Sequence, residues 1–318
     1  MIVLLLRRTA SLILTLVAVS LLIFVVMGLL PGDPAAIALG TSATPETLAA
    51  MRHAMGLDQP LLLRYAEWLA GAVHGDLGLS STYGVPVAGL IAERLVVTLP
   101  LALMATLLSI AIAVPLGVMA AARRGSVYDA LAAIFSQSSI AVPGFWVALL
   151  LILMFSTTLG WMPAGGFPGW TDVPLALRAL ALPAVALALP QAGVLTRVTR
   201  TAMLDILQDD FIRTARAKGL SHRGILWRHA LPNALVPILT LVGLQFTFLV
   251  AGAVLIENVF NLPGLGRLAY QALTQRDIVV MQDVVLLLAG LVIVVNFLVD
   301  LSYLGIDPRL RSGTIHGQ

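Results

Sequence analysis

The sequence predicts an all-α, polytopic integral membrane protein with six transmembrane helices, and two observations carry that reading. Of 318 residues, 59% are hydrophobic and only 11% are charged, with a mean hydropathy of +0.97. A soluble domain carries about 25% charged residues to cover its water-facing surface. The apolar stretches are also too long for core helices. No charge falls within residues 9–32, 95–122, 130–171 or 230–256, and each stretch exceeds the roughly 20 residues needed to cross about 30 Å of hydrocarbon at about 1.5 Å per residue.

The spans fall at 9–30, 96–121, 131–157, 179–198, 233–256 and 283–304. Arg7-Arg8 ahead of the first run invites a competing reading, a cleaved signal peptide. The run from Ser11 to Leu30 exceeds the roughly 7–15 residues of a signal core and ends in Pro31-Gly32-Asp33-Pro34, so it is read as a retained span. The sixth span is charge-free only over 284–299, which puts Asp300 near an interface.

Basic residues set the orientation. With a cytoplasmic N-terminus, 13 of the 19 lie inside: Arg7, Arg8, Arg123, Arg124, Arg197, Arg200, Arg213, Arg216, Lys218, Arg223, Arg228, Arg309 and Arg311. The longer outer loops hold Arg52, Arg64, Arg94, Arg178, Arg267 and Arg276, and acidic residues show the reverse bias. Both termini are therefore expected in the cytoplasm. The pI near 9.7 reflects this topology and does not point to nucleic acid.

Outside, Thr44-Pro45-Glu46 reads as a helix start and Gly56 as its stop. A second short helix is expected from Pro60 to about Val73, with Tyr65 and Trp68 suited to the membrane interface. Surface helices at the bilayer edge and substrate contacts are equally open there. Residues 156–178, with Trp161, Pro163, Gly165, Gly166, Pro168, Gly169 and Trp170, read as irregular. Pro115, Pro143, Pro183 and Pro190 lie inside spans, where each removes a backbone hydrogen bond and favours a kink.

Several chemistries are excluded or disfavoured. Without cysteine there is no disulfide or thiolate site. The only lysine, Lys218, follows Ala217, so there is no Walker A loop to hold ATP phosphates. None of the five histidines begins a His-Glu-x-x-His site, and no Gly-x-Ser-x-Gly elbow is present. His222 and His229 share a helical spacing, but metal binding is disfavoured. Proton-coupled carriers place ionisable relay groups in the bilayer, and the central parts of all six spans have none. Ser136, Gln137, Ser139, Gln191 and Gln245 are the polar candidates for a translocation path; contacts between helices are the alternative.

The most informative segment is the loop 199–231. It mixes Arg200, Arg213, Arg216, Lys218, Arg223 and Arg228 with Asp205, Asp209 and Asp210, and adds Phe211, Ala215, Leu220, Ile225, Leu226 and Trp227 as apolar positions. Residues 213–218 favour helix and Gly219 is placed to end it in a left-handed conformation. Ser221 then caps a second short helix, expected to stop before Pro232. Two short amphipathic helices hinged at a glycine suit either a docking element or a segment lying on anionic lipid.

The stretch Thr214-Ala215-Arg216-Ala217-Lys218-Gly219, then nine residues, then His229-Ala230-Leu231-Pro232 resembles the EAA loop of ABC importer permeases. That family's pattern is Glu-Ala-Ala-x-x-x-Gly, nine residues, then Ile-x-Leu-Pro. Ala215, Gly219, Leu231 and Pro232 match; Arg213, Thr214 and His229 depart as they do in the peptide-importing branch. Along the chain, Pro31-Gly32-Asp33-Pro34, Gly56-Leu57-Asp58-Gln59-Pro60, Trp68, Gly75-Asp76-Leu77-Gly78, Pro232-Asn233-Ala234, Glu257-Asn258-Val259-Phe260 and Pro263-Gly264-Leu265-Gly266 are similar to the dipeptide/oligopeptide permeases. The large outer segment after the first span favours the first-permease branch.

The resemblance implies a type I ABC importer fold in a bacterial inner membrane. Its layout is an N-terminal helix (1–30), a periplasmic segment (31–94), a five-helix core (95–304) with the coupling loop 199–231, and a cytoplasmic tail (305–318). It implies as partners a second homologous permease, two cytoplasmic ATPase subunits that bind ATP and Mg, an external solute-binding protein and the bilayer, with no cofactor or catalysis on this chain. Asp210, Ala215, Ala217, Lys218, Gly219, Leu220, Leu231 and Pro232 would be the coupling residues. Di- and oligopeptides are the expected cargo, with nickel chelates or glutathione as alternatives. The rivals from other classes are a stand-alone channel or secondary carrier and a membrane-embedded enzyme.

Overall fold

The computed structural model describes residues 2–29, 33–40 and 43–306, and every described element is a helix apart from one isolated bridge between Leu79 and Pro86. Pro31, Gly32 and residues 307–318 of the predicted tail, Arg309 and Arg311 among them, thus lie outside the described residues. The helices are α1 (Ile2–Gly28), α2 (Pro34–Leu39), α3 (Pro45–Ala54), α4 (Leu61–His74), α5 (Val87–Ala122), α6 (Val127–Ala141), α7 (Gly144–Leu151), α8 (Val173–Ile206), α9 (Asp210–Ala217), α10 (His222–Gly224), α11 (Leu231–Val259), α12 (Leu265–Gln275) and α13 (Ile278–Ile306). Wide π turns extend α7 over Ile152–Thr158 and join α10 to α11 over Ile225–Ala230.

Among the described residues, five helical runs are long and apolar enough to cross a membrane: Leu6–Gly28, Val87–Ala122, Val173–Ile206, His222–Val259 and Ile278–Val299. The third predicted span differs from expectation. It is two helices, α6 and α7 with its π extension, bent by 100°. The cause is local: Val142 is β-branched and precedes a proline, so it turns extended (φ −95°, ψ 125°), and Pro143 has no N–H to continue the ladder. Pro100 and Pro115 in α5, and Pro183 and Pro190 in α8, leave their helices unbroken.

The chain divides into two units. One comprises Ile2–Thr98 and Pro263–Val294. Here the expected Thr44 cap, Pro45 start and left-handed Gly56 (φ +66°) are present, with Thr47 completing the capping box. Helix α4 lies against α1, with none of its residues fully buried. Tyr65 OH meets Ser20 Oγ at 2.8 Å, the Phe24, Tyr65 and Trp68 rings cluster within 6.2 Å, and Trp68 Nε1 donates to Asp283 Oδ1 at 2.8 Å. Helix α12, not anticipated, packs Leu265, Leu268 and Ala272 on Val87 and Ile91 of α5 and Val280 and Val284 of α13.

The second unit comprises Leu99–Leu262 and the chain from Val295. Its stem is α8, flanked by α6, α7 and α11. Ala176, Ala179, Ala184, Ala186, Ala188 and Ala192 are buried along it. Without a hydrophobic drive between helices in lipid, association depends on close packing, which such small residues permit. Gly193 shows how tight the fit is: a methyl there would stand 2.6 Å from Ser139 Cβ. Helix α8 begins at Val173, six residues before the predicted span, because Asp172 caps it by accepting the Leu175 N–H at 3.0 Å.

Asp277, fully buried ahead of α13, accepts hydrogen bonds from the Ser80 hydroxyl (2.5 Å) and from the N–H groups of Thr82 (3.1 Å) and Val280 (3.3 Å). Burial pushes its carboxyl up, but these bonds together outweigh it and hold the pKa below the usual value. A depressed folded pKa adds stability above the unfolded value of about 3.9 and loses it as pH falls through the folded value. Asp277→Ala should therefore cost about 1–3 kcal/mol, since it orphans three donors. In thermal unfolding of the detergent-solubilised protein, the decline in melting temperature below about pH 4 should shrink in Asp277→Asn; an identical decline in both proteins would refute the assignment.

Candidate functional site

The loop after α8 follows the expected course to Ser221 and then departs from it. Helix α9 ends at Ala217, Gly219 takes φ +76°, and Ser221 Oγ accepts the Gly224 N–H at 3.2 Å. The second helix does not stop before Pro232. It passes from α10 through the π turns Ile225–Ala230 into α11, so that His222–Val259 is one helical run and Pro232 sits in the first turn of α11. Proline is tolerated in a first turn, where its missing N–H matters least, and the wider π turn before it relieves the ring clash with the preceding carbonyls.

Burial sorts the loop residues into two sets. Ile212, Ala215, Ile225, Leu226 and Ala230 are buried with Ala202 and Met203 of α8 and Ala113, Val118 and Ala121 of α5. They fasten the loop to the stem. Phe211, Leu220 and Trp227 remain 41–45% exposed, and Ala217, Lys218, Gly219 and Pro232 are exposed beside them. Asp210, with its side chain 93% exposed, pairs with Arg213 at 3.2 Å. Of the expected coupling residues, Ala215 faces inward and Leu231 is half-buried, while the other six are on the surface. Exposed apolar and charged groups thus share one loop whose base is packed into the stem.

The polar candidates for a path divide as well. Ser136 Oγ donates to the Gly193 carbonyl at 2.7 Å, joining α6 to α8, and Gln245 Nε2 donates to the Gln191 carbonyl at 2.8 Å, joining α11 to α8. Ser139 packs on Gly193. These three are helix contacts. Gln137 is exposed and lines a cleft of about 460 Å³ with Asp129, Thr196, Arg197 and Arg200. Gln191 lines another of about 300 Å³ with Pro143, Gly144 and Phe248.

The sequence reading missed an ion pair at the first cleft. Arg200 Nε and Nη2 donate to Asp129 Oδ1 and Oδ2 at 2.5 and 2.8 Å. Arg200 had been counted only as a topological charge. The one local hint was Asp129, an acid at the very edge of a charge-free stretch.

The family model described as binding-protein-dependent transport system inner membrane component matches residues 113–312, and a companion model for the N-terminal part of such components matches residues 1–102. The chain belongs to this family of ABC importer permeases. Among relatives of this permease, a Brucella abortus protein named as a permease of a peptide transport system is 45% identical over 97% of this chain and 98% of its own length. The glutathione transport system permease protein GsiC of Escherichia coli K12 is 38% identical over 96% of this chain and 97% of its own. A solved inward-facing structure of the MetNI methionine ABC transporter aligns with a TM-score of 0.57 at 22% identity, covering 69% of this chain and 96% of the aligned one, and shows the shared fold. The permease is thus a multi-pass membrane protein.

If Ser136 and Gln245 bind helices together, Ser136→Ala and Gln245→Leu should each lower stability by about 0.6–1.7 kcal/mol. Gln137→Ala should change it by less than about 0.5 kcal/mol. Melting of the three purified variants checks this; unchanged melting in the first two, with transport lost, would return those residues to the path.

Proposed function

We propose that this chain is one of two permease subunits of an ATP-driven importer of di- and oligopeptides in a bacterial inner membrane. Its termini lie in the cytoplasm, residues 31–94 face the periplasm, and the helical core after them carries the path. The peptide assignment is supported by the 45% identical Brucella abortus relative; glutathione, the cargo in the name of the Escherichia coli relative, is itself a tripeptide. The chain is a non-catalytic subunit. Two cytoplasmic ATPase subunits bind ATP and Mg, and an external solute-binding protein delivers the cargo.

The observation that carries the reading is the docking face around Gly219. Phe211, Leu220 and Trp227 stand out from a loop whose other apolar residues are locked into the stem. An ATPase subunit that grips those three moves the end of α8 with them. In the mechanism, ATP binding closes the ATPase pair, the gripped loop shifts, and the spans turn the path outward to receive cargo; hydrolysis resets it. A loop lying on lipid would bury the same apolar residues but would not explain why the base beneath them is so firmly packed.

The test is reconstitution. The chain, with a second permease, ATPases and binding protein, should take up labelled peptide in liposomes only with ATP; uptake by the chain alone without ATP would favour a carrier. Within that assembly, Gly219→Val should abolish coupled uptake while insertion stays normal. A methyl at Gly219 meets no neighbour, so the cost is conformational, roughly 1–2 kcal/mol or more for a β-branched residue held left-handed. Wild-type uptake by Gly219→Val would count against the coupling role.

A further inference from the structure

We propose that the Asp129–Arg200 pair is the strut that carries displacement of the α9 loop into α6, a positioning role that rests on the importer reading above. The guanidinium meets the carboxylate side-on through two bonds, of 2.5 and 2.8 Å. A planar fork on a planar carboxylate fixes orientation as well as distance, which a point-charge ammonium does not. The same Oδ2 accepts the Gly125 N–H at 2.9 Å, in a turn that needs φ +76° at that glycine. One carboxylate therefore holds the turn after α5, the first turn of α6 and the α8 stem. Only 11% of the Asp129 side chain and 30% of that of Arg200 are exposed, so water competes weakly for these bonds.

Position gives the pair its role. Arg200 lies within about two turns of the end of α8 at Ile206, and the loop hangs from that end. Beside it, Thr199 is fully buried against α5, where a methyl on Gly117 would stand 2.6 Å from Thr199 Cβ. A turn further on, Ala202 and Met203 belong to the same buried cluster as Ile212 and Ala215 of α9 and Ile225, Leu226 and Ala230 of the π turns. A shift of α9 thus moves the end of α8, and the bidentate grip passes that movement to the start of α6. Helix α6 ends in the 100° bend at Val142–Pro143, a joint where its tilt can change without dragging α7 as a rigid rod. Ser136 binds α6 to α8 again at Gly193, two turns nearer the bend, so the strut acts at the loop-side end of α6.

A simple fastening role would affect stability alone; a strut affects the link between ATP use and movement of cargo. The test measures both uptake of a labelled tripeptide and ATP hydrolysis by the full complex in liposomes with binding protein. Arg200→Lys keeps the charge and loses the fork; Asp129→Asn keeps the shape and loses the charge. Peptide carried per ATP should fall about tenfold in both, within the range seen for residues that couple distant sites, while hydrolysis stays within about twofold of wild type. The exchange Asp129→Arg with Arg200→Asp should recover part of the loss. Unchanged peptide per ATP overturns the strut, as does a lower amount of complex that still works normally. If Asp129→Asn fails to assemble, the milder Arg200→Lys decides; failure of both assigns the pair to folding and overturns the proposal. A wild-type complex that imports without ATP removes the importer reading itself, a result distinct from all of these.

Discussion

Hydrocarbon gives a backbone nothing to hydrogen-bond with, so every N–H and C=O in a span must be satisfied by the chain itself. In this protein that constraint produces uninterrupted helices and then governs how they meet. Helices that are apolar all round gain little from one another by the hydrophobic effect, so they associate where small side chains allow contact. Helix α8 meets that need with buried alanines and with Gly193, whose missing side chain leaves room for Ser139. The stem so formed orients α6, α7 and α11, and its loop-side end supports α9. The 100° break after α6 is tolerated because an extended residue and a proline fall together at one point rather than along the helix.

Three acids at or beside apolar helices are each handled differently. Asp129 is neutralised by a guanidinium. Asp277 gathers neutral donors from the loop around Ser80 and the start of α13. Asp283, one turn inside α13, accepts the Trp68 indole at Oδ1, while its buried Oδ2 has no partner among the described residues. Each acid sits near a helix end. A bundle short of charge keeps these groups near helix ends, which leaves the middle of the spans to close packing and to neutral bonds such as those of Ser136 and Gln245.

Much of this was legible in one sequence because local rules decide it. The charge-free runs located the long helices; Thr44, Gly56, Ser221 and Gly219 act through their own neighbours, and each takes its expected conformation. What was not legible depends on residues far apart. Nothing near Asp129 announces a partner 71 residues away, and nothing near Trp68 announces Asp283, 215 residues further on. Apolar content alone could not separate Ala215, Ile225 and Leu226, which face the stem, from Phe211, Leu220 and Trp227, which do not. Pro232 misled for a different reason. A π turn ahead of it relieves the clash that normally ends a helix, and turn width is not written in residue type.

The continuous run from α10 through the π turns into α11 bears on how force would travel. Had the loop ended in a flexible link before Pro232, a push on Leu220 or Trp227 would be absorbed by that link. Instead Trp227 stands on the π turns themselves, and a displacement there enters α11 without a joint. The other side of the loop has a joint, residues 207–209, and Ile212 and Ala215 beyond it share a buried cluster with Ala202 and Met203 before it. Gly219, left-handed at φ +76°, makes the turn between the two arms. On the proposed coupling role, a partner gripping the exposed Phe211, Leu220 and Trp227 would act on both arms at once, one running into the stem and the other into the neighbouring span.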